Sequence, residues 1–168
     1  MLSEAIGLTL FPATMAFAAA SDLLAMTIAN RISLILVAGF AVVAVLGELT
    51  GTVLLSHLAA GAAVLAVAFL CFACRWIGGG DAKLAAVTTL WFGFDFLLDY
   101  LIYAALFGGA LTLLLIQFRK LPLPEALARQ SWILRLHETG GGVPYGIALA
   151  AAALTVYPKT AWMPALGL

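Results

Sequence analysis

Two aspartates and a run of glycines carry the chemistry that this sequence offers. Gly78-Gly79-Gly80-Asp81-Ala82-Lys83 interrupts two long apolar runs, and Asp22 lies near the end of an earlier one. An ionised side chain within hydrocarbon is costly, so carboxylates kept there are usually functional or paired. Two carboxylates brought within hydrogen-bonding distance do not readily both ionise, and they share one proton over a wide pH range. The ionised partner can then take a proton from water while the protonated one donates to a scissile carbonyl oxygen. That is the chemistry of aspartic peptide hydrolysis. Glycines at 78 and 80 let a substrate backbone approach where side chains would block it. Lys83 either tunes the pair, binds an interfacial anion or serves as an interfacial positive charge.

Composition decides the solvent in which these groups sit. The chain has 168 residues, of which 65% are hydrophobic and 10% charged, with a mean hydropathy of +1.14. Such a surface must face lipid, and the length allows up to six spans of about 20 residues with short connections. The expected fold is therefore all-α: one polytopic membrane helical bundle of about six transmembrane helices, formed by residues 1–168 as a single domain. Net charge is zero, so no basic surface points to nucleic acid. Cys71 and Cys74 lie in an apolar run and form no disulfide framework. They have no second pair to complete a zinc site, and His57 and His137 lack partners at ligand spacing, so neither metal nor cofactor is expected. No G-K-[ST] follows either glycine cluster, which leaves a phosphate-binding loop unsupported.

Taken in order, the apolar runs predict the spans that hold the aspartates. The first runs from Ala5 to Ala20 and is read as a retained helix, because a cleavable signal begins with basic residues and the only early charge is Glu4. Asp22 then lies a turn or two from the water boundary. A second span runs from Ile32 to Leu46, closed by Gly47-Glu48, with a loop around Thr50-Gly51-Thr52. A third runs from about His57 to Cys74, with Arg75-Trp76 at its interfacial end. Leu84 to Phe118 is too long for one span and is divided between Gly93 and Asp99. Span four is then short unless it begins inside the glycine loop. After Arg119-Lys120, Pro122 and Pro124 break the helix. Glu125 to His137 reads as a short surface helix with Leu123, Leu127 and Leu134 on one face. Gly140-Gly141-Gly142 acts as a hinge into a sixth span ending near Tyr157-Pro158.

Basic residues set the orientation. With the N-terminus outside, Arg31, Arg75, Lys83, Arg119, Lys120, Arg129 and Arg135 share one side and only Lys159 falls on the other, which makes the first side cytoplasmic. Glu4, Glu48, Asp95 and Asp99 collect outside. Asp22 and Asp81 thus reach the same cytoplasmic side, where a bundle can join them.

Plainer roles are open to the same residues. Asp81 suits a helix N-cap, Asp22 a solvated helix end, and Asp95 and Asp99 form a rival pair four residues apart. A small proton-coupled transporter would also keep carboxylates in the membrane, but no internal repeat is visible. A non-enzymatic pilus or secretion assembly subunit would need small-residue helix faces. Those exist at Ala59, Ala60, Ala62 and Ala63 and from Ala148 to Ala153, and they suit any close-packed bundle.

Gly78, Gly80, Asp81 and Lys83 fit the G-x-G-D-x-K motif, and in this the chain resembles the type IV prepilin peptidases, membrane aspartic proteases. Asp22, followed by Asn30-Arg31, resembles the family's first aspartate and its downstream Pro-Asn, with Ala29 where proline is common. Val143-Pro144-Tyr145-Gly146-Ile147-Ala148 looks like the last-span motif of the short members that serve tight-adherence (Flp) pili. The resemblance implies catalysis by Asp22 and Asp81, with Gly78, Gly80 and Lys83 supporting the substrate loop. It implies a bacterial inner-membrane enzyme that removes the basic leader from prepilins or pseudopilins at the cytoplasmic face. Longer relatives carry an insert with two CxxC pairs and also methylate the new N-terminus. This chain lacks that insert, so methylation is not expected. An archaeal preflagellin is an alternative substrate.

Overall fold

The apolar runs become helices because, in lipid, the backbone must satisfy its own hydrogen bonds. The computed structural model describes residues 2–160 and 162, with side chains from residue 6 onward. The side chain of Glu4, counted above among the outer acidic groups, lies outside the described residues. Eight α-helices and no strand occur among the described residues. They are α1 (Leu2–Ala25), α2 (Asn30–Leu46), α3 (Gly51–Ala73), α4 (Gly79–Phe92), α5 (Leu97–Phe118), α6 (Glu125–Ala128), α7 (Ser131–His137) and α8 (Tyr145–Val156). A 3-10 turn, Tyr157–Lys159, follows. Ile6–Ala25, Gly51–Ala73 and Leu97–Phe118 are long and apolar enough to cross a membrane, and α2 is a shorter apolar helix. The protein is an all-helical membrane protein.

Length sorts the helices between lipid and interior. At 1.5 Å per residue, α4 and α8 rise only about 21 and 18 Å, short of the roughly 30 Å of bilayer hydrocarbon. Both are buried. α4 buries Leu84, Val87, Thr88, Thr89, Trp91 and Phe92, and α8 buries Gly146, Ala148, Ala150, Ala152, Ala153 and Val156. The small side chains of α8 let it pack against α1, α4 and α5 together, as small-residue faces do in membranes. The long helices take the lipid side: Leu55, Val67, Phe69 and Leu70 of α3 and Leu98, Leu106, Leu113 and Leu114 of α5 are all exposed.

An aromatic cluster locks one half of the bundle. Phe11 stacks on Tyr157 with ring centroids 4.3 Å apart and lies 5.1 Å from Trp91. Tyr157 Oη donates to the Gly7 carbonyl at 2.8 Å, and Trp91 Nε1 donates to the Leu36 carbonyl at 3.0 Å. Each buried polar tip thus finds a backbone acceptor. His57 joins the same half, with Nδ1 2.8 Å from the Leu90 carbonyl and its ring against Phe40.

The helices follow the order expected from the apolar runs, three of them long and apolar enough to cross a membrane, with three differences in detail. α3 begins at Gly51 rather than near His57, because Thr50 supplies the extended N-cap backbone and Gly51-Thr52 continue as helix. The surface helix is two short ones, α6 and α7, interrupted at Arg129-Gln130. Its inward leucine is Leu136, since Leu127 and Leu134 are exposed. Asp95 and Asp99 do not share a helical face. Asp95 is exposed in the turn between α4 and α5, whereas Asp99 is in the first turn of α5, with Oδ2 3.7 Å from Lys159 Nζ.

Candidate active site

Both aspartates are set by helix ends. α1 continues through Asp22 and stops at Ala25, because Met26 turns into the left-handed region at φ 53°. Asp22 therefore sits one turn before the helix end, buried at 5% exposure. At the other element, Gly78 adopts extended backbone (φ −71°, ψ 147°) as the N-cap of α4. Asp81 is the third residue of that helix and not its cap. Its carboxylate lies back over the cap, with Oδ2 2.9 Å from where a Cβ on Gly78 would sit, the position of the acidic member of a capping box. The glycine loop and the start of α4 are thus one unit.

The two aspartates open onto the same cavity. It has a volume of about 220 Å³ and is lined by Asp22, Met26, Thr27, Ile28, Gly78, Gly79, Gly80 and Asp81. Residues far apart in the chain meet here because α1 and α4 both pack on α2 and α8. Between the two aspartates the lining is Met26-Thr27-Ile28 on one segment and the three glycines on the other. A Cβ on Gly80 would sit 3.1 Å from Ile28 Cβ, and one on Gly78 would sit 2.9 Å from Asp81 Oδ2. Side chains at 78 and 80 would displace the aspartate or narrow the cavity.

Lys83 points elsewhere. Its Nζ donates to Asn30 Oδ1 at 2.8 Å, which ties the fifth residue of α4 to the first residue of α2. No ion pair within 4 Å joins it to either aspartate among the described residues. Asn30, singled out above only through its motif, is therefore the lysine's acceptor.

One member of the site went unassigned at the level of sequence. Gly146, in the first turn of α8, donates its N–H to Asp22 Oδ2 at 2.7 Å. A helix N-terminus presents unpaired N–H groups to an anion, and here one of them meets a buried carboxylate. A Cβ at this position would approach Asp22 Oδ2 and Ile28 Cδ1, each to 2.8 Å. Only glycine allows that contact. The legible signal was the Pro-Tyr-Gly run at the head of the last span; its target is set by the packing of α8 on α1.

No His, Cys, Asp and Glu group able to hold a metal ion occurs among the described residues. Cys71 and Cys74 are free thiols near the end of α3.

The model of the type IV leader peptidase family matches residues 9–113. This chain belongs to the type IV leader peptidase family. The matched stretch holds both aspartates, the glycine loop and Lys83, and it ends before Arg119 and α8. No curated protein matches the chain, and no solved structure does. The leader peptidase is thus a membrane protease by family and by its apolar helices, with prepilins as the substrates that the family implies. The part of this peptidase that supplies Gly146 lies outside the matched stretch.

Proposed function

We propose that the protein is an aspartic endopeptidase that removes leader peptides from Flp-type prepilins or pseudopilins by joint action of Asp22 and Asp81. One observation carries the reading: the two carboxylates of a leader peptidase line a single glycine-walled cavity. A water held between them loses a proton to the ionised carboxylate as its oxygen attacks the scissile carbonyl. The protonated carboxyl donates to the carbonyl oxygen, giving a neutral tetrahedral diol. Collapse breaks the C–N bond: the proton taken from water passes to the leaving amine, and the carboxylate that gave up its proton takes one back from a diol hydroxyl, which restores the pair. The glycine walls admit the substrate backbone in extended form. The pilin's apolar helix, itself in the membrane, approaches laterally between helices of the bundle.

Charge distribution supports a cytoplasmic site in the bacterial inner membrane. Arg31, Arg75, Lys83, Arg119, Lys120, Arg129 and Arg135 all belong to connections or helix ends on the aspartate side of the bundle, and Lys159 belongs to the other. With the positive side inside, the N-terminus is outside. Cleavage then occurs where a basic leader leaves the membrane.

The test is cleavage of a prepilin by the protein reconstituted in lipid. Asp22→Asn and Asp81→Asn should each abolish cleavage while the protein stays inserted, and Asp95→Asn should leave the rate unchanged. Activity surviving either of the first two changes removes the dyad. Crosslinks from the substrate confined to the aqueous loops would overturn lateral approach.

A further inference from the structure

Arg119 lies at the end of α5, beyond the stretch that the family model matches, and does not border the cavity. Its guanidinium nevertheless gathers three backbone carbonyls of the segment that leads into α8. Nε donates to Leu136 at 2.8 Å, and Nη2 donates to Gly141 at 2.9 Å and Gly142 at 2.8 Å. A planar fork with fixed donors suits such a set, whereas an ammonium offers a single point of attachment.

The end of α5 holds the start of this segment at one further point, where His137 Nε2 lies 2.8 Å from the Leu121 carbonyl and its ring stands edge-on to Phe118; at Gly141 and Gly142 the guanidinium is the side chain that holds it. Gly140 turns it at φ 92°, and Gly142 opposes no atom within 4 Å of a Cβ position. Four residues after Gly142 comes Gly146, whose N–H meets Asp22. One contact fixes the path between, and a second anchors α7 ahead of it. The Tyr145 ring lies across Gly108 of α5, where a side chain would collide with it. Arg135 Nη1 of α7 donates to the Leu24 carbonyl at 3.1 Å, two residues from Asp22. The segment from α5 to α8 is thereby strapped to the helix that carries the first aspartate.

We infer that Arg119 is a positioning residue for the peptidase reaction, holding the 136–142 backbone so that the start of α8 delivers the Gly146 N–H to Asp22. This rests on the reading that Asp22 and Asp81 form the reacting pair. Arg119 itself touches neither carboxylate nor the cavity. Its effect reaches the reaction through the orientation of Asp22, where a displacement of about 1 Å can cost on the order of 100-fold in rate.

The experiment compares Arg119→Lys and Arg119→Gln with wild type in the full-length reconstituted protein, using a prepilin substrate. Expected is a fall in kcat of about 10- to 100-fold with KM within twofold. Guanidinium added to Arg119→Ala should restore part of the rate. The Gly146 amide, followed by NMR in glycine-labelled protein, should lose its hydrogen-bonded shift. Val156→Ala, at the far buried end of α8, serves as the control that lowers Tm without lowering kcat. The inference is overturned if Arg119→Lys and Arg119→Gln lose no more kcat than this control, or if the Gly146 amide is unmoved. Should Arg119→Gln fail to fold, Arg119→Lys and its Gly146 signal decide. Asp22→Asn, run beside them, separates the two claims. A dead Asp22→Asn with a fully active Arg119→Gln sinks the positioning role alone, whereas an active Asp22→Asn sinks the dyad first.

Discussion

Gly146 meets two demands at one position: its N–H reaches Asp22 Oδ2 at 2.7 Å, and its missing side chain leaves room for that carboxylate and for Ile28. Gly146→Ala should therefore separate from an ordinary alanine substitution in a helix, which is mildly favourable. We expect a stability loss of about 1–3 kcal/mol from overpacking and at least a tenfold fall in kcat. Thermal unfolding and initial rates check both; a stable, fully active Gly146→Ala would show that Asp22 does not need this donor. The proposed reacting pair makes a further prediction. In a pair that shares one proton, cleavage should pass through a maximum as pH is varied, and both limbs belong to the pair rather than to either residue. A flat profile across the range where carboxylates titrate would count against the shared proton.

At the scale of elements, the site depends on how the starts of α2, α4 and α8 meet the end of α1. Lys83 and Asn30 join α4 to α2 across an exposed hydrogen bond, so its contribution to stability is small, below about 1 kcal/mol. Its value is in register. Lys83→Met and Asn30→Ala should each lower cleavage by a similar factor, and the double variant should fall no further than either single one, since both remove the same contact. Additive losses would mean that Lys83 acts on something other than Asn30. Sequence periodicity placed α2, α5 and the end of α8 closely, because long apolar runs bounded by charges or prolines have little freedom in lipid. It placed the start of α3 too late, since nothing in Thr50-Gly51-Thr52 distinguishes a polar loop from a polar first helical turn. Similarly, Asp81 suits an N-cap by residue type, yet Gly78 takes that place and Asp81, the third residue of α4, lines the cavity.

The whole molecule divides into a locked half and a working half. Phe11, Trp91, Phe92 and Tyr157 interlock at one end, and the glycine-lined cavity occupies the other. Trp91→Ala should lower stability by about 3–5 kcal/mol, while kcat measured well below its Tm stays within a few-fold of wild type. A selective loss of kcat at unchanged Tm would mean that the aromatic half is coupled to the site. Orientation can be read from a native thiol: Cys74 is exposed beside Arg75 at the aspartate end of α3. An impermeant maleimide should label it in inverted membrane vesicles and not in spheroplasts. A Thr50→Cys variant, with both native cysteines replaced by serine, should show the opposite pattern. The reverse result would place the aspartates outside.

The sequence by itself determined the solvent, the helical class, and the residue types able to hydrolyse a peptide. Hydropathy and the Gly-x-Gly-Asp spacing are local properties, readable without knowing which helices touch. It also indicated that Asp22 and Asp81 reach the same side, because alternation of spans across a bilayer is a counting argument. Only the tertiary structure decided that they share one cavity, that Lys83 turns to Asn30, that the Gly146 N–H meets Asp22, and that Arg119 gathers the carbonyls of Leu136, Gly141 and Gly142. Those contacts join residues up to 124 positions apart. They depend on α8 being short and small-faced enough to sit inside the bundle, a packing outcome that no single stretch of the chain specifies.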